Sequence, residues 1–536
     1  MRRVIVAGAV AVIVMASLVV ARADPAVTAG RRVAGSTSDQ AERALANALS
    51  VFGSRPAAEG ARSEATVGSR SATMALRDLL LVRDQLSPEQ RKVADGLLAR
   101  PTEGNQDPFG DGYPQFALDT LRNTCTGVVV STDFCIHWVE ESGDAPPLLP
   151  DDNANTIPDW VDANVAVFEQ VWAHEIDDLG FRAPKPDGQS DDHGPNNRLD
   201  VYLANLGNQG LYGYCTSDDP HGMPGSGYPH WDLSAFCVID EDFVEFPLSE
   251  IKSLRATAAH EFFHASQFAY DVAEDLWLME GSAVWMEDEV FDGVNDHLQY
   301  NATSQLRSPW VPVDTGAAGY RYGAWIFWRF LSERFDPGII RRVWFLADGA
   351  QGGLDLDSLR AAARAIKERG PAFRRAFAEF GAWNVRPSAR YEEGGLYGVP
   401  RVDRNHNVTA ANGGTPWQER RLDHLSHRLV VFRSGSGVSN GAKLRVRLDG
   451  PVLAAGTEGT AVVRFEDGRI RFFALHANGA GEAQRVVPFG SNDVVSVTLV
   501  LTNASTRTDC WRNSVYSCRG RPRDDNERFS YASVLL

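Results

Sequence analysis

The sequence is short of cysteine, of positive charge and of long apolar runs, and each shortage excludes a class of protein. Only six cysteines occur in 536 residues, and no two form a Cys-x-x-Cys pair, so they are not expected to be metal ligands. The formal net charge of -17 argues against nucleic acid or an anionic membrane surface as a partner. Beyond residue 20 no apolar run is long enough to cross a bilayer.

The one long apolar run lies at the N-terminus and predicts export. Arg2 and Arg3 precede apolar residues 4–20, and residues 21–23 read Ala-Arg-Ala, a small-x-small cleavage signal. This pattern predicts a signal peptide cut after Ala23 and a secreted, extracellular protein. An uncleaved membrane anchor is the alternative, although about 17 residues is the short limit for a span.

The six cysteines all follow this segment, and an even number in an exported chain implies disulfides. They fall into three close pairs, each within one predicted unit. Sequential pairing is therefore favoured, as Cys125–Cys135, Cys215–Cys237 and Cys510–Cys518.

A His-Glu-x-x-His motif at residues 260–264 carries the clearest chemistry. On a helix, His260 and His264 leave the same face and can reach one zinc ion. Glu261 lies about 100° round the helix, where a carboxylate can take a proton from a metal-bound water. Neither glycine nor proline interrupts residues 256–265, so a helix is predicted there.

Glu280 is the candidate for the third protein ligand that a catalytic zinc ion usually requires. It lies within the apolar residues 277–285, where an unpaired carboxylate would be costly to bury and a cation is the natural partner. A surface acid at a helix start is the plainer alternative. The rivals for the ligand role are Asp271, Glu274, Asp275 and Glu287.

The sequences HEFFH and WLMEGSAVW together resemble the gluzincin group of zinc peptidases, in which a glutamate on a second helix is the third ligand. The metzincin pattern would need glycine at 267 and histidine at 270, but those positions hold Gln267 and Tyr270. The wider pattern, with its Cys-x9-Cys-x-His-Trp segment, is similar to a group of secreted bacterial metalloproteases.

Residues 320–324, Tyr-Arg-Tyr-Gly-Ala, resemble the Tyr-x-x-Gly-Ala segment of gluzincin aminopeptidases. The resemblance implies that Tyr320 stabilises the oxyanion, with Tyr322 as the alternative. An aromatic core residue ahead of an apolar helix is an equally open interpretation.

Residues 151–162 follow the ligand spacing of a short EF-type calcium loop. The predicted ligands are Asp151, Asn153, Asn155, Ile157 through its carbonyl, and Asp162. Thr156 stands where glycine is expected, and Asp152 adds an unassigned charge. The alternative is a helix start, capped by Asp159 with Asp162 reaching back.

Periodicity divides the mature chain into three units. Residues 24–112 are pro-segment-like or an accessory helical hairpin, with little order expected up to about Ala72. Residues 113–400 have strands followed by helices, which indicates an α+β, zincin-like catalytic domain. Residues 401–536 carry short alternating runs typical of an all-β, antiparallel sandwich. His424 and His427, three residues apart in this unit, are expected in polar loops.

The sequence therefore predicts a secreted zinc metallopeptidase of gluzincin type that acts on a peptide or protein substrate. Zinc would be held by His260, His264 and Glu280, with Glu261 as the general base and Tyr320 on the oxyanion. Peptide hydrolysis is what the resemblance implies, since zinc and a base also serve other hydrolases. The alternative is an exported adhesin or carbohydrate-binding protein with a catalytically silent zincin fold, against which the intact Glu261 argues.

Overall fold

The computed structural model describes residues 38–52, 71–103, 116, 118–126, 133–190, 192–222 and 226–536. The predicted signal peptide lies outside these residues. Within them, none of the helices combines the length and the apolar character that a membrane crossing requires.

Eleven α-helices lie in the described ranges, and a π-helical turn, Ala173–Asp178, continues the fourth. The helices are α1 (Ser38–Phe52), α2 (Thr73–Leu80), α3 (Pro88–Leu98), α4 (Asp159–Trp172), α5 (Glu250–Asp271), α6 (Leu276–Val290), α7 (Tyr320–Gly323), α8 (Trp325–Arg334), α9 (Gly338–Ala347), α10 (Ser358–Glu368) and α11 (Phe373–Asn384).

The strands complete a mixed α and β structure, as expected. They are β1 (Arg122–Asn123), β2 (Phe134–Trp138), β3 (Leu199–Ala204), β4 (Gly213–Thr216), β5 (Phe236–Asp240), β6 (Arg404–Val408), β7 (Gly414–Leu422), β8 (Ser426–Ser434), β9 (Lys443–Asp449), β10 (Thr457–Phe465), β11 (Ile470–Leu475), β12 (Glu482–Pro488), β13 (Val494–Asn503), β14 (Thr508–Asp509), β15 (Arg521–Pro522) and β16 (Glu527–Leu535).

The first sheet has the order β1-β2-β3-β5-β4. Strands β2, β3 and β5 run parallel, while β4 pairs antiparallel with β5 and forms the edge. These three parallel strands are buried along their whole length, as expected for strands covered on both faces. Helix α5 follows β5 and packs against α4, α6, β4 and β5, which places the motif helix beside the edge strand.

The expectation of little order between residues 24 and 72 is wrong for α1. Ala41, Leu45, Ala48 and Phe52 recur at helical spacing and are buried, and they join the core of the first sheet and its helices. Two of these four side chains are alanines, which mark a periodic apolar face only weakly.

Arg100, after α3, ties the same N-terminal unit to the first sheet. Its guanidinium donates to carboxylates of Asp187 at 2.9 Å, Asp200 at 2.5 Å and Asp218 at 2.7 Å. The Arg100 side chain is fully buried and Asp187 is 1% exposed. Residues 187–197 are rich in Asp, Gly and Asn, a composition that predicts a solvated loop. Asp187 departs from that prediction and is buried, because the arginine that pairs with it comes from a distant part of the chain.

The C-terminal unit contains two large sheets, ordered β11-β10-β13-β8-β6 and β12-β9-β16-β7, and the short pair β14-β15. Alternate side chains from both sheets form one apolar core, as predicted for a sandwich. The prediction of a purely antiparallel arrangement is wrong for β6, which runs parallel to β8. The reason is that β7, between them in sequence, belongs to the opposite sheet, so the chain returns to β8 in the original direction.

The three predicted disulfides are confirmed as Cys125–Cys135, Cys215–Cys237 and Cys510–Cys518. Each closes a short loop of the chain. Disulfides of this number fit a protein that folds in an oxidising compartment.

His424 lies in the turn between β7 and β8 and His427 lies within β8, and both are 1% exposed, so neither is the solvated loop histidine that was expected. The His424 ring bridges Asp525 of the same unit (2.6 Å) and Asp314 of the preceding one (2.9 Å). Burial alone would lower the pKa of His424, but the two carboxylates outweigh it and raise that pKa to about 10. A charged imidazole thus joins the sandwich to the helical unit.

Candidate metal centre

Helices α5 and α6 bring the predicted zinc ligands together. His260, His264 and Glu280 are 6%, 0% and 0% exposed. His260 Nε2 lies 3.1 Å from His264 Nε2 and 3.3 Å from Glu280 Oε2. His264 Nε2 lies 3.5 Å from the same Glu280 oxygen. Tetrahedral ligands about 2.0–2.1 Å from zinc would be separated by roughly 3.3 Å, so the three atoms already form a matching triangle.

The hydrogen bond made by Nδ1 of each imidazole determines the protonation of the Nε2 atom that faces the triangle. His260 Nδ1 lies 2.6 Å from Glu287 Oε1, and His264 Nδ1 lies 2.7 Å from Gln267 Oε1. The Gln267 amide is oriented by its Nε2, which donates to the Met279 carbonyl at 2.9 Å. Both Nδ1 atoms therefore carry the proton, which leaves the two Nε2 lone pairs and a carboxylate oxygen facing one another. With neutral imidazoles these are three acceptor atoms around one point, an arrangement that a cation stabilises, and their donor types suit zinc.

Glu280 is held as a carboxylate at this position. Burial alone would raise the pKa of Glu280, but His260, His264 and Arg321 outweigh it and hold that pKa well below its usual range. Arg321 Nε lies 3.7 Å from Glu280 Oε1. Sequence reasoning did not single out Arg321 as a partner of Glu280, because the two residues come from different helices.

The four acids considered as alternatives to Glu280 have no atom in the triangle. Glu287 faces the outer nitrogen of His260, not the triangle. Asp275 accepts from Ser358 Oγ and from the Cys518 amide, and Glu274 accepts from the Asp275 amide. The Asp271 carboxylate accepts from the amide of Ala273.

Glu261, the predicted base, is 2% exposed and lies beside His260 in a small pocket. The pocket is also lined by Tyr212, Tyr300 and Tyr322. Glu261 Oε2 accepts a hydrogen bond of 2.8 Å from the hydroxyl of Thr73, at the start of α2. No local signal near Thr73 points to this contact, which joins residues 188 positions apart.

Tyr322, the alternative to Tyr320 for stabilising the oxyanion, lines the pocket beside Glu261, whereas Tyr320 does not. Tyr320 is half-exposed and makes no side-chain hydrogen bond within the described part of the chain. Tyr322 is 1% exposed and stacks on Tyr300 with ring centroids 5.0 Å apart. Burial first, and then the negative charge of Glu280, raises the pKa of Tyr322, so its hydroxyl stays protonated. The structure therefore places Tyr322, and not the predicted Tyr320, at the pocket, because the short helix α7 turns the second tyrosine inward.

The predicted calcium loop has its acid and amide side chains close together. Asn153 Nδ2 and Asn155 Nδ2 lie 2.7 and 3.0 Å from Asp162 Oδ2. The Asp151 carboxylate accepts from the amides of Asn155 and Thr156, each at 3.2 Å. Thr156 has φ of +70°, the conformation for which an EF-type loop normally uses glycine.

The alternative for this loop, a cap by Asp159, does not occur. Helix α4 begins at Asp159 with Pro158 at the N-cap and no side-chain cap. Asp159 instead accepts from the amide of Asp152. The carboxylate therefore ties the loop to the first turn of the helix without capping it.

No family model matches the sequence, and no curated protein matches it either. Several solved structures are weakly similar to parts of the chain, among them the following two. The pre-peptidase C-terminal domain of a Bacillus anthracis collagenase is 12% identical over 25% of this chain and 97% of that domain, with a TM-score of 0.15. A family GH115 4-O-methyl-α-glucuronidase with specificity for decorated arabinogalactans is 11% identical over 53% of this chain and 41% of that enzyme, with a TM-score of 0.13. Scores this low support no conclusion about fold or function.

Proposed function

We propose that this protein is an exported zinc-dependent peptidase of gluzincin type with a zincin-like catalytic domain. The observation that carries the proposal is the triangle of acceptor atoms from His260, His264 and Glu280, with Glu261 in the adjoining pocket. The edge strand β4 beside α5 supports a peptide as the substrate, since an extended segment can pair with such an edge.

The chain's own residues account for the remaining chemistry. His260, His264 and Glu280 would hold the zinc ion, which would supply Lewis-acid chemistry at the centre. Glu261 accepts a proton from the nucleophile at its carboxylate and later donates it to the departing amine. The protonated Tyr322 hydroxyl is a donor available to a developing oxyanion.

The test is Glu261→Gln, which keeps the shape of the side chain and all three ligands. We expect about one zinc per chain, and hydrolysis of fluorogenic casein at least ~100-fold slower than in the parent, the usual contribution of a general base. Glu250→Gln, an exposed glutamate in the first turn of the same helix, is the matched control and keeps the parent rate. An unchanged rate in Glu261→Gln would remove the mechanism. Zinc binding without hydrolysis in any form of the protein would favour the adhesin or carbohydrate-binding alternative.

We also propose that residues 151–162 bind calcium. The clustering of Asp151, Asn153, Asn155 and Asp162, together with the positive φ of Thr156, supports hard oxygen donors around one ion. Ile157 supplies the carbonyl of the set. The ion would stabilise the start of α4 and would take no part in hydrolysis.

A further inference from the structure

We propose that residues 71–103 keep the candidate catalytic centre latent, with Thr73 bound to the catalytic base and Ser71 bound to the substrate edge. This inference rests on the proposed function, because it concerns access to the same centre.

The Thr73 hydroxyl occupies two groups that a substrate would need. It donates to Glu261 Oε2 at 2.8 Å and accepts from the amide of Cys215, on the edge strand β4, at 2.8 Å. Thr73 is fully buried and Glu261 is 2% exposed. While this hydroxyl is in place, the carboxylate already has a donor, and one edge amide of β4 already has an acceptor.

Ser71 fills the adjoining position on the same strand. Its backbone forms a parallel bridge with Gly213, the first residue of β4. Its hydroxyl donates to Thr73 Oγ1 at 3.0 Å, and Ser71 lines the pocket that holds His260 and Glu261. A peptide substrate cannot pair with this end of β4 until the segment leaves.

Two buried arginines of residues 71–103 attach this segment to the rest of the protein. Arg77, 1% exposed, donates to the carbonyl oxygens of Val272 and Glu274 beyond the C-terminus of α5, at 3.3 and 2.7 Å. Arg100 is paired with the three aspartates described above. Neither arginine contacts the predicted zinc ligands, so both serve attachment and not chemistry.

Release of the segment therefore governs access. The apparent affinity for any ligand of the centre is reduced by the fraction of molecules that are open. Hydrogen bonds from a charged donor, such as those of Arg77, contribute enough that their loss should increase the open fraction about 10- to 100-fold.

The test uses the full chain, loaded with zinc, as Thr73→Val, Arg77→Met and the double variant. Arg77 is chosen over Arg100 because its removal leaves two carbonyls and the solvent-accessible carboxylate of Asp78 without this partner. Removal of Arg100 would instead leave the buried carboxylates of Asp187 and Asp200 without theirs. Arg91→Met is the matched control, since Arg91 donates within its own unit, to the carbonyls of Asp84 and Leu86. The readouts are binding of a fluorescein-labelled hydroxamate, which must reach the metal, and hydrolysis of fluorogenic casein.

We expect the double variant to bind the hydroxamate at least ~10-fold more tightly than the parent at equal zinc content, with Arg91→Met unchanged. Casein hydrolysis should rise in parallel, and the Glu261→Gln comparison is repeated in this opened background. Tighter hydroxamate binding without hydrolysis would support latency and contradict the peptidase function. Equal hydroxamate affinity in the parent and all variants, or slower hydrolysis in Thr73→Val, would overturn latency and make Thr73 a positioning residue for Glu261.

Discussion

The two predicted metal sites of this chain are built in opposite ways. At the α5–α6 centre, the donors come from two helices and are buried, and both histidines have their Nδ1 hydrogen-bonded on the side away from the triangle. In the loop of residues 151–162, the donors are contiguous in sequence and partly exposed, and they hydrogen-bond to one another.

The two sites differ in how strongly the absence of an ion would destabilise them. Without a cation the buried centre would set acceptors against acceptors, an electrostatic conflict that a proton on one imidazole would relieve. In the loop, amide groups of Asn153 and Asn155 already satisfy Asp162, so the folded loop tolerates the loss. We therefore expect the centre to depend strongly on its ligands and the loop to respond weakly.

The largest effect is expected at Glu280. Glu280→Gln removes the charge that balances the ion, so zinc affinity should fall by more than the roughly 10- to 100-fold that loss of an outer hydrogen-bond partner costs. Competition with a chromogenic zinc chelator measures this. Glu274→Gln, a rival acid of the same region, is the control and should bind zinc as the parent does. Equal losses in both variants would contradict the assignment of Glu280.

A smaller loss is expected at Glu287, which contacts the outer nitrogen of His260. Glu287→Ala leaves His260 able to bind zinc but removes the partner that orients its ring. The same competition assay should show affinity reduced by roughly 10- to 100-fold. If Glu287→Ala loses as much affinity as Glu280→Gln, Glu287 is itself a ligand and the two acids exchange roles.

The smallest effect is expected in the loop. Calcium at about 100 times its dissociation constant would stabilise the folded state by about 2.7 kcal/mol, which raises the melting temperature by a few degrees. Asp162→Asn should lose this response, while Asp152→Asn, at a position with no ligand role, should keep it. Differential scanning calorimetry with calcium or a chelator measures the shift, and identical melting under both conditions in the parent contradicts the calcium site.

Patterns confined to a few residues were readable without a structure. The His-Glu-x-x-His spacing puts two imidazoles on one helix face wherever the helix lies, and the three cysteine pairs each close a short loop. The spacing of Asp151 to Asp162 likewise predicts a turn whose side chains converge. In each case the geometry follows from the local backbone, so neighbours in sequence are neighbours in space.

Choices among distant or equivalent candidates were decided only by packing. The crossing of α6 over α5 places Glu280 in the triangle and Glu287 behind His260, although both acids belong to the same helix. The short helix α7 turns Tyr322 inward and leaves Tyr320 half-exposed. Thr73 reaches Glu261, and Arg100 reaches Asp200, only because the N-terminal helices share the core of the first sheet. The sequence by itself determined which chemical groups were available, whereas the tertiary structure decided which of them meet, because contacts across a core depend on helix packing that no local spacing encodes.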